Sequence, residues 1–434
     1  MPSIQSQHRP FSRRGLTLIE IMIALTMTLI VLGAMMQAFQ YASGQMQLGR
    51  ATMELANRLR SAEELLRSDL SHLTVEPRPY TETTNPNGYF EIIDGVMRDK
   101  TTKLNFINNL ELTDRSYLGD VDDVIAMTVR SDGQFFRGRH IPDNTTSSKV
   151  IESSIAEVMW YTTFVDRNSD DLIDLTESVK VHRRVLLIRP DMGPWEDLAS
   201  AEVTFLMQNN DISCRIVFDA TDNNYNVYAN SLSDLAVRRN RFCHQWYNYD
   251  ANNPSIDINW PNFLDRSLIA TFQLPEGNDI VLTDVASFDV QVYSPDVSLI
   301  LDAEIPVAPT DPGFSEVPAT QISAGDFVDL LSGDFLRSNT RFASPQWPTA
   351  EPFYDTWTPA YENDGFDQDD DGLIDEGTNG LDNGGPLAPD DDSERETRPP
   401  YPHPIRGVKV SLRLIEKTTN QVYQSSVTHS YVPE

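Results

Sequence analysis

The stretch DQDDDGLIDEG, residues 367–377, has the residue types and spacing of a calcium-binding loop. Carboxylates at alternate positions of a turn point inward together, and Gly372 permits the sharp bend. Since the twelfth position holds Thr378, bidentate closure must come from Glu376, from Asp382 or from elsewhere. The predicted ligands are Asp367, Asp369, Asp371, the carbonyl of Leu373, Asp375 and Glu376. The alternative is a solvated acidic loop.

A second stretch, DRNSDDLIDLTE at 166–177, has a similar order of oxygen ligands. The predicted ligands are Asp166, Asn168, Asp170, the carbonyl of Leu172, Asp174 and Glu177. Asp171 takes the position of the usual glycine, and aspartate tolerates a left-handed backbone better than most residues. Calcium at either loop would be a structural cofactor, and the alternative here is a polar hairpin tip.

The cysteines and histidines give no pattern of catalysis. Cys214 and Cys243 either form one disulfide or are two separate buried thiols, because each lies beside apolar residues. The seven histidines lack metalloprotease spacing, and the chain has no G-x-S-x-G motif and no phosphate-binding glycine loop. We therefore predict that the protein is not an enzyme.

The charge of the chain excludes one class of partner. With 65 acidic and 34 basic side chains among 434 residues, the formal net charge is −31. A protein that neutralises nucleic-acid phosphates needs a clustered basic face, so no nucleic-acid partner is expected.

An apolar run from Leu16 to Met36 is long enough to cross a membrane as a helix. Arginines precede it at positions 9, 13 and 14, without an acidic residue among them. By the positive-inside rule, residues 1–15 stay in the cytoplasm and the rest of the chain lies on the other side. We predict a single-pass membrane protein whose head lies outside the cytoplasm.

The sequence RRGLTLIE, residues 13–20, resembles the class III signal of type IV pilins and type II secretion pseudopilins. The resemblance implies that residues 1–15 are a leader peptide, that a prepilin peptidase cuts after Gly15, and that Leu16 becomes the methylated first residue. It also implies an inner-membrane protein with its head in the periplasm, and it implies that Glu20 pairs with the α-amino group of a neighbouring subunit. A carboxylate within a membrane helix costs about 3 kcal/mol or more, so such a residue usually has a partner. The alternative is that the Glu20 side chain extends to the lipid headgroups.

The elements that carry these residues are a long helix followed by strands. Leucines and alanines recur every three or four residues as far as Leu73, with Asp69 among the charged residues between them. This predicts one helix from Leu16 to Thr74 within a helical segment 16–75, followed by a β-rich head at 76–434. An acidic, proline-rich interval at about 305–404 is predicted to be a surface insertion, mostly loop. The predicted strands are 124–129, 156–165, 179–188, 268–274 and 285–293, and a closing hairpin of 408–414 and 422–432.

This is an α+β pattern and it is similar to the pilin fold. The large head and the closing strand IRGVKVSLRLIE resemble those of PilW-type minor pilins and J-type minor pseudopilins. The implied function is a minor structural subunit, assembled with other pilins or pseudopilins through its helix into a type IV pilus or a type II secretion pseudopilus, near the tip. The alternative is an exported calcium-binding adhesin or enzyme held by an uncleaved membrane anchor.

Overall fold

The structure of this protein is a computed structural model. The described residues are 17–77, 87–94, 119–121, 123–141, 148–163, 179–219, 224–237, 240–245, 279–295, 297–302, 305–307, 321–323, 325–330, 353–356, 373, 380–382, 389, 405–416 and 421–431. The predicted strand at 268–274 lies outside them.

The first element is helix α1, Leu18–Ser71, which runs without a break for 54 residues and agrees with the predicted span. The chain divides into two units, Met1–Ala56 and Asn57–Glu434, and the boundary falls within this helix. In the first unit, Leu18–Met46 is long and apolar enough to cross a membrane. The Thr26 and Thr28 hydroxyls there donate to carbonyls one turn earlier, which satisfies them inside an apolar medium.

The end of α1 packs as part of the second unit. Leu59, Ala62, Leu66 and Leu70 form its buried stripe, as the helical spacing of these residues predicts. Asp69 is also buried, although the sequence placed it among the charged positions between the apolar ones. Its carboxylate accepts hydrogen bonds from Trp160 Nε1 at 2.8 Å and from Arg183 Nε and Nη2 at 2.7 and 2.6 Å. Strand residues thus supply the partners that allow an acid on the buried side.

The remaining elements are mainly strands. The other helices are α2 (Ser200–Asn209), α3 (Leu232–Ala236) and α4 (Phe242–Gln245). The strands are β1 (Phe90–Ile93), β2 (Val124–Arg130), β3 (Phe136–His140), β4 (Lys149–Ser153), β5 (Ile155–Thr163), β6 (Val179–Leu187), β7 (Trp195–Leu198), β8 (Cys214–Asp219), β9 (Asn224–Ala229), β10 (Ile280–Ser294), β11 (Ser298–Asp302), β12 (Ile305–Val307), β13 (Gln321–Ser323), β14 (Asp326–Val328), β15 (Phe353–Asp355), β16 (Gly407–Glu416) and β17 (Gln421–Ser430).

Nine strands form the main antiparallel sheet in the order β15-β1-β2-β5-β6-β10-β16-β17, with β14 paired to β10. Its buried strands are rich in valine, isoleucine and aromatic residues, which suit a pleated surface covered by other elements. Smaller sheets join β7-β9-β8, β12-β11-β13 and β3-β4. One long helix followed by a large antiparallel sheet is a mixed α+β architecture, as predicted.

The closing hairpin is confirmed, because β16 and β17 pair in register from Gly407↔Ser430 to Glu416↔Gln421. The predicted insertion at about 305–404 contains four short strands among its described residues. Its interval supplies β12 to β15, and β15 pairs with β1 while β14 pairs with β10. Each of these strands has only three residues, and the composition of the interval is dominated by proline and acidic residues. The sequence pattern therefore gave no signal for the strands.

Candidate functional site

The start of α1 carries a capping box at the residues TLIE, 17–20. The backbone N–H and the hydroxyl of Thr17 both donate to Glu20 Oε2 at 2.9 Å, and the Glu20 N–H donates to Thr17 Oγ1 at 3.3 Å. This reciprocal pair satisfies donors that the first turn of a helix leaves without intrahelical partners. Glu20 therefore has a local role within its own helix, which sequence reasoning missed. Its signal was the T-x-x-E pattern.

A carboxylate has two oxygens and can accept several hydrogen bonds. Both contacts to Thr17 use Oε2 alone. The contacts with Thr17 thus leave Oε1 of Glu20 able to accept a further hydrogen bond. The predicted cleavage residues Gly15 and Leu16 lie outside the described residues.

The candidate metal centre is a buried group of three carboxylates, Asp94, Asp120 and Asp123, whose nearest oxygens lie within 4.8 Å of one another. The strand register brings two of them together. Ile93 of β1 pairs with Val124 of β2, so Asp94 and Asp123 are the next residues at the same end of the ladder. Each of the three side chains is at most 3% exposed.

Strand β10 anchors the segment that carries two of these acids. Asp123 Oδ2 accepts the N–H of Val290 at 2.6 Å, and the carbonyl of Asp120 accepts the N–H of Phe288 at 2.7 Å. Adjacent buried carboxylates repel one another, so their negative charge must be balanced by protons, by donors and basic side chains around them, or by a metal ion. Carboxylate oxygens are the ligands that calcium and magnesium prefer, and this group could hold such an ion.

The sequence did not indicate this triad, because Asp94 and Asp120 are far apart along the chain and only pairing of β1 with β2 brings them together. The acids before the strand at 124 were the available signal. The metal ligands predicted at 166–177 lie outside the described residues, as do those at 367–377 except Leu373, which is exposed. Asp382, named as a closing ligand, is also exposed. Calcium binding at those loops stays a prediction.

A second buried polar group surrounds Arg241. Its Nη1 lies 3.0 Å from Glu91 Oε2 and 2.8 Å from Asp355 Oδ1, and all three side chains are fully buried. The guanidinium also donates to the carbonyls of Leu235 and Ala236 and lies 4.1 Å above the ring centre of Tyr89. Arg241 thus fastens the segment between α3 and α4 to β1 and β15, so we assign this cluster a structural role.

Glu157 lies beside this group, buried in β5. It accepts hydrogen bonds from the Tyr89 hydroxyl at 2.8 Å, the Ser213 hydroxyl at 2.6 Å and the Phe242 N–H at 2.8 Å. Burial raises the pKa of Glu157, and the three donors oppose that change. The contacts join β5 to three other parts of the head.

Both cysteines are buried thiols that are not joined in a disulfide, so the disulfide alternative is wrong and the alternative of two separate thiols holds. Cys214 packs in the core beside α2 with Trp195 and Val227, whereas Cys243 packs with Phe242 in another core cluster. Burial raises the pKa of the Cys214 thiol, which keeps it protonated and unreactive.

Comparisons with known proteins found no relative of this chain. No protein-family model matches the chain, and no curated protein and no solved structure matches it. The class that the structure defines is therefore a mixed α+β protein with one N-terminal helix that is apolar enough to span a membrane.

Proposed function

We propose that this protein is a minor pilin-like structural subunit that is processed by prepilin peptidase and assembled through its N-terminal helix into a type IV pilus or a type II secretion pseudopilus. The observation that supports this most is α1, in which an apolar, membrane-length segment continues without a break into a stripe that belongs to the head. Such a helix can hold a subunit in the membrane before assembly and in a filament afterwards. On this proposal the protein is not an enzyme.

Glu20 is the residue on which assembly depends in this proposal. A carboxylate near the start of a membrane helix is costly without a partner, and the amino group created by cleavage before Leu16 would supply an opposite charge from a neighbouring subunit. The capping box gives a competing explanation for the same residue, because a cap contributes about 1 kcal/mol to a helix. Two substitutions separate the explanations.

Glu20→Gln keeps the capping box, since glutamine can also bond back to the Thr17 N–H, but it removes the charge. Thr17→Ala removes the hydroxyl of the cap and keeps the charge. We expect Glu20→Gln to abolish incorporation into filaments sheared from the native cells and Thr17→Ala to retain most of it. The reverse order would assign Glu20 to helix capping alone and contradict the assembly role.

Processing is tested by the intact mass and first residue of the protein from native membranes, with and without the prepilin peptidase. We expect a chain that begins at methylated Leu16 and that is lost when the peptidase is deleted. A chain that keeps Arg13, Arg14 and Gly15 in both strains would contradict the proposal. That result would instead support an exported adhesin or enzyme with an uncleaved anchor.

A further inference from the structure

Three polar side chains lie next to one another across neighbouring strands of the main sheet. Gln291 of β10 is directly opposite Lys409 of β16. Strand β14 pairs with the other side of β10 as far as Val328, and the next residue, Asp329, follows on opposite Gln291. Residues opposed across a sheet place their side chains on the same face. Lys409, Gln291 and Asp329 therefore form one line across three strands, which we call the polar row.

Both ends of the Gln291 amide contact a neighbour in the polar row. Lys409 Nζ donates to Gln291 Oε1 at 2.9 Å, and Gln291 Nε2 donates to Asp329 Oδ1 at 3.3 Å. Gln291 is 4% exposed and Asp329 is 3% exposed, whereas Lys409 is half-buried. An amine thus touches a buried carboxamide, and a carboxylate touches the nitrogen of that same amide.

The surrounding side chains hold the amine against the amide. The Lys409 Nζ lies 6.0 Å above the Phe327 ring, and this ring contacts Tyr293 edge-on. Val290 and Val292, on either side of Gln291 along the strand, are buried in the sheet. Holding two reacting groups together replaces a bimolecular encounter, and this can be equivalent to an effective concentration of about 10⁵–10⁸ M.

We propose that Lys409 and Gln291 react once in the folded chain and form an isopeptide bond, which joins β16 to β10 covalently. The Lys409 ammonium loses one proton to water at its exposed side, and the lone pair of Nζ then attacks the amide carbon of Gln291. Asp329 accepts a second proton from Nζ and donates it to Nε2 of the amide. The bond between the amide carbon and Nε2 breaks, and ammonia leaves and takes up the proton that water had received.

The reaction balances without a further reactant. One ammonium group and one carboxamide give one secondary amide and one ammonium ion, and no group is oxidised or reduced. Burial of the Gln291 amide favours attack by the adjacent amine over hydrolysis by water. Because the bond forms only once in the life of each molecule, a reaction that takes hours is fast enough.

The position of the bond gives it a mechanical consequence. It closes a covalent loop that contains residues 292–408, and this loop includes the predicted insertion at about 305–404. Strand β16, which pairs with β17, therefore stays attached to β10 when a protease cuts the insertion or when the head is pulled. The inference does not depend on processing of the chain or on its assembly into a filament.

The test is peptide mapping by mass spectrometry of the full chain, purified from its own cells and kept folded for several days. After denaturation, trypsin cuts after Arg406 and Arg413 but cannot cut after an acylated Lys409. We expect a branched peptide in which residues 407–413 are joined to residues 267–337. Its mass should equal the sum of the two peptides less one ammonia.

Substitutions in the polar row identify the role of each group. Asp329→Asn keeps the size of the side chain and removes the proton acceptor, so the branched peptide should form about 100-fold more slowly. Gln291→Glu removes the leaving ammonia and should give no branched peptide. The matched control is Lys180→Arg, which changes a half-buried lysine of β6 and should leave the branched peptide unaffected. Unreactive Cys214 and Cys243 thiols would show that each variant is folded.

Complete tryptic cleavage after Lys409 in the native chain would overturn the proposal. Loss of ammonia without a branched peptide would also overturn it, because other amides can lose ammonia without forming a cross-link. A branched peptide that forms in Gln291→Glu would place the link at another amide and contradict the assignment. Equal rates in Asp329→Asn and the native chain would overturn the role given to Asp329.

Discussion

Replacing Asp69 by alanine should destabilise the head far more than replacing an exposed acid that is also paired with arginine. Asp69 accepts three hydrogen bonds, two from Arg183 and one from the Trp160 indole, and its side chain is 3% exposed while that of Arg183 is 16% exposed. Removing one partner of a buried ion pair costs about 3–5 kcal/mol, because the other charge remains without compensation. The indole N–H would lose its acceptor as well, at about 1–3 kcal/mol.

These two contributions overlap because they share one carboxylate, so we expect a loss of about 4 kcal/mol in the free energy of unfolding. The matched control is Glu152→Ala, which removes the acid of the Arg137–Glu152 pair. There the nitrogen–oxygen distance is 2.9 Å, but the side chains are 75% and 44% exposed. Exposed pairs contribute about 0–1 kcal/mol, so this variant should differ little from the native chain.

The assay is urea unfolding of the full chain in micelles, followed by far-ultraviolet circular dichroism. With a slope of about 2–3 kcal/mol per molar urea, a loss of 4 kcal/mol would lower the midpoint by about 1.5 M. If Asp69→Ala and Glu152→Ala lower the midpoint equally, the end of α1 is not held by this buried pair. The described packing of that helix segment on the sheet would then be wrong.

Three further outcomes follow from the same contacts. Burial, and to a smaller extent the charge of Lys180, lowers the pKa of His182 to about 4. The contribution of His182 to stability is therefore complete above the ordinary histidine pKa of about 6.5, and the free energy of unfolding falls by up to about 3 kcal/mol as the pH drops from about 6.5 to about 4. His182→Phe should remove that part of the pH dependence in urea titrations. A maleimide should label neither Cys214 nor Cys243 in the folded, unreduced chain and both in denaturant, and labelling of the folded chain would contradict their burial. Equilibrium dialysis should show calcium binding that is weakened when Asp367, Asp369 and Asp371 are replaced by asparagine, and binding that is lost only with Asp123→Asn would assign the ion to the buried triad instead.

Much of the fold could be predicted from local sequence patterns. The helix was predicted within a few residues at each end, because leucine periodicity and the following prolines are both local signals. The β16–β17 hairpin was predicted for the same reason, since alternation and a short turn lie within one stretch of sequence. Periodicity also identified the buried stripe ending at Leu70.

The rest depended on contacts between distant residues. From the sequence alone Asp69 is expected on the surface, and only the sheet brings Arg183 next to it. The burial of Arg241 likewise depends on its ion pairs with Glu91 and Asp355, which are distant in sequence. The candidate metal centre likewise depends on one strand register. Such polar pairs have no periodic signature, because each partner is chosen by topology and not by its neighbours in sequence.

The order of the main sheet also determines when the head can finish folding. Strands β1, β2, β5, β6 and β10 are neighbours in the order in which they are synthesised, so each can pair as it appears. Strands β15 and β16, which pair with β1 and β10, come from residues 353–355 and 407–416. At ordinary rates of synthesis the gap between β10 and β17 lasts on the order of 10 s. During that time the two edge strands of the incomplete sheet, β1 and β10, have not yet met their partners β15 and β16. A chaperone that protects these two edges during export would raise the yield of folded protein.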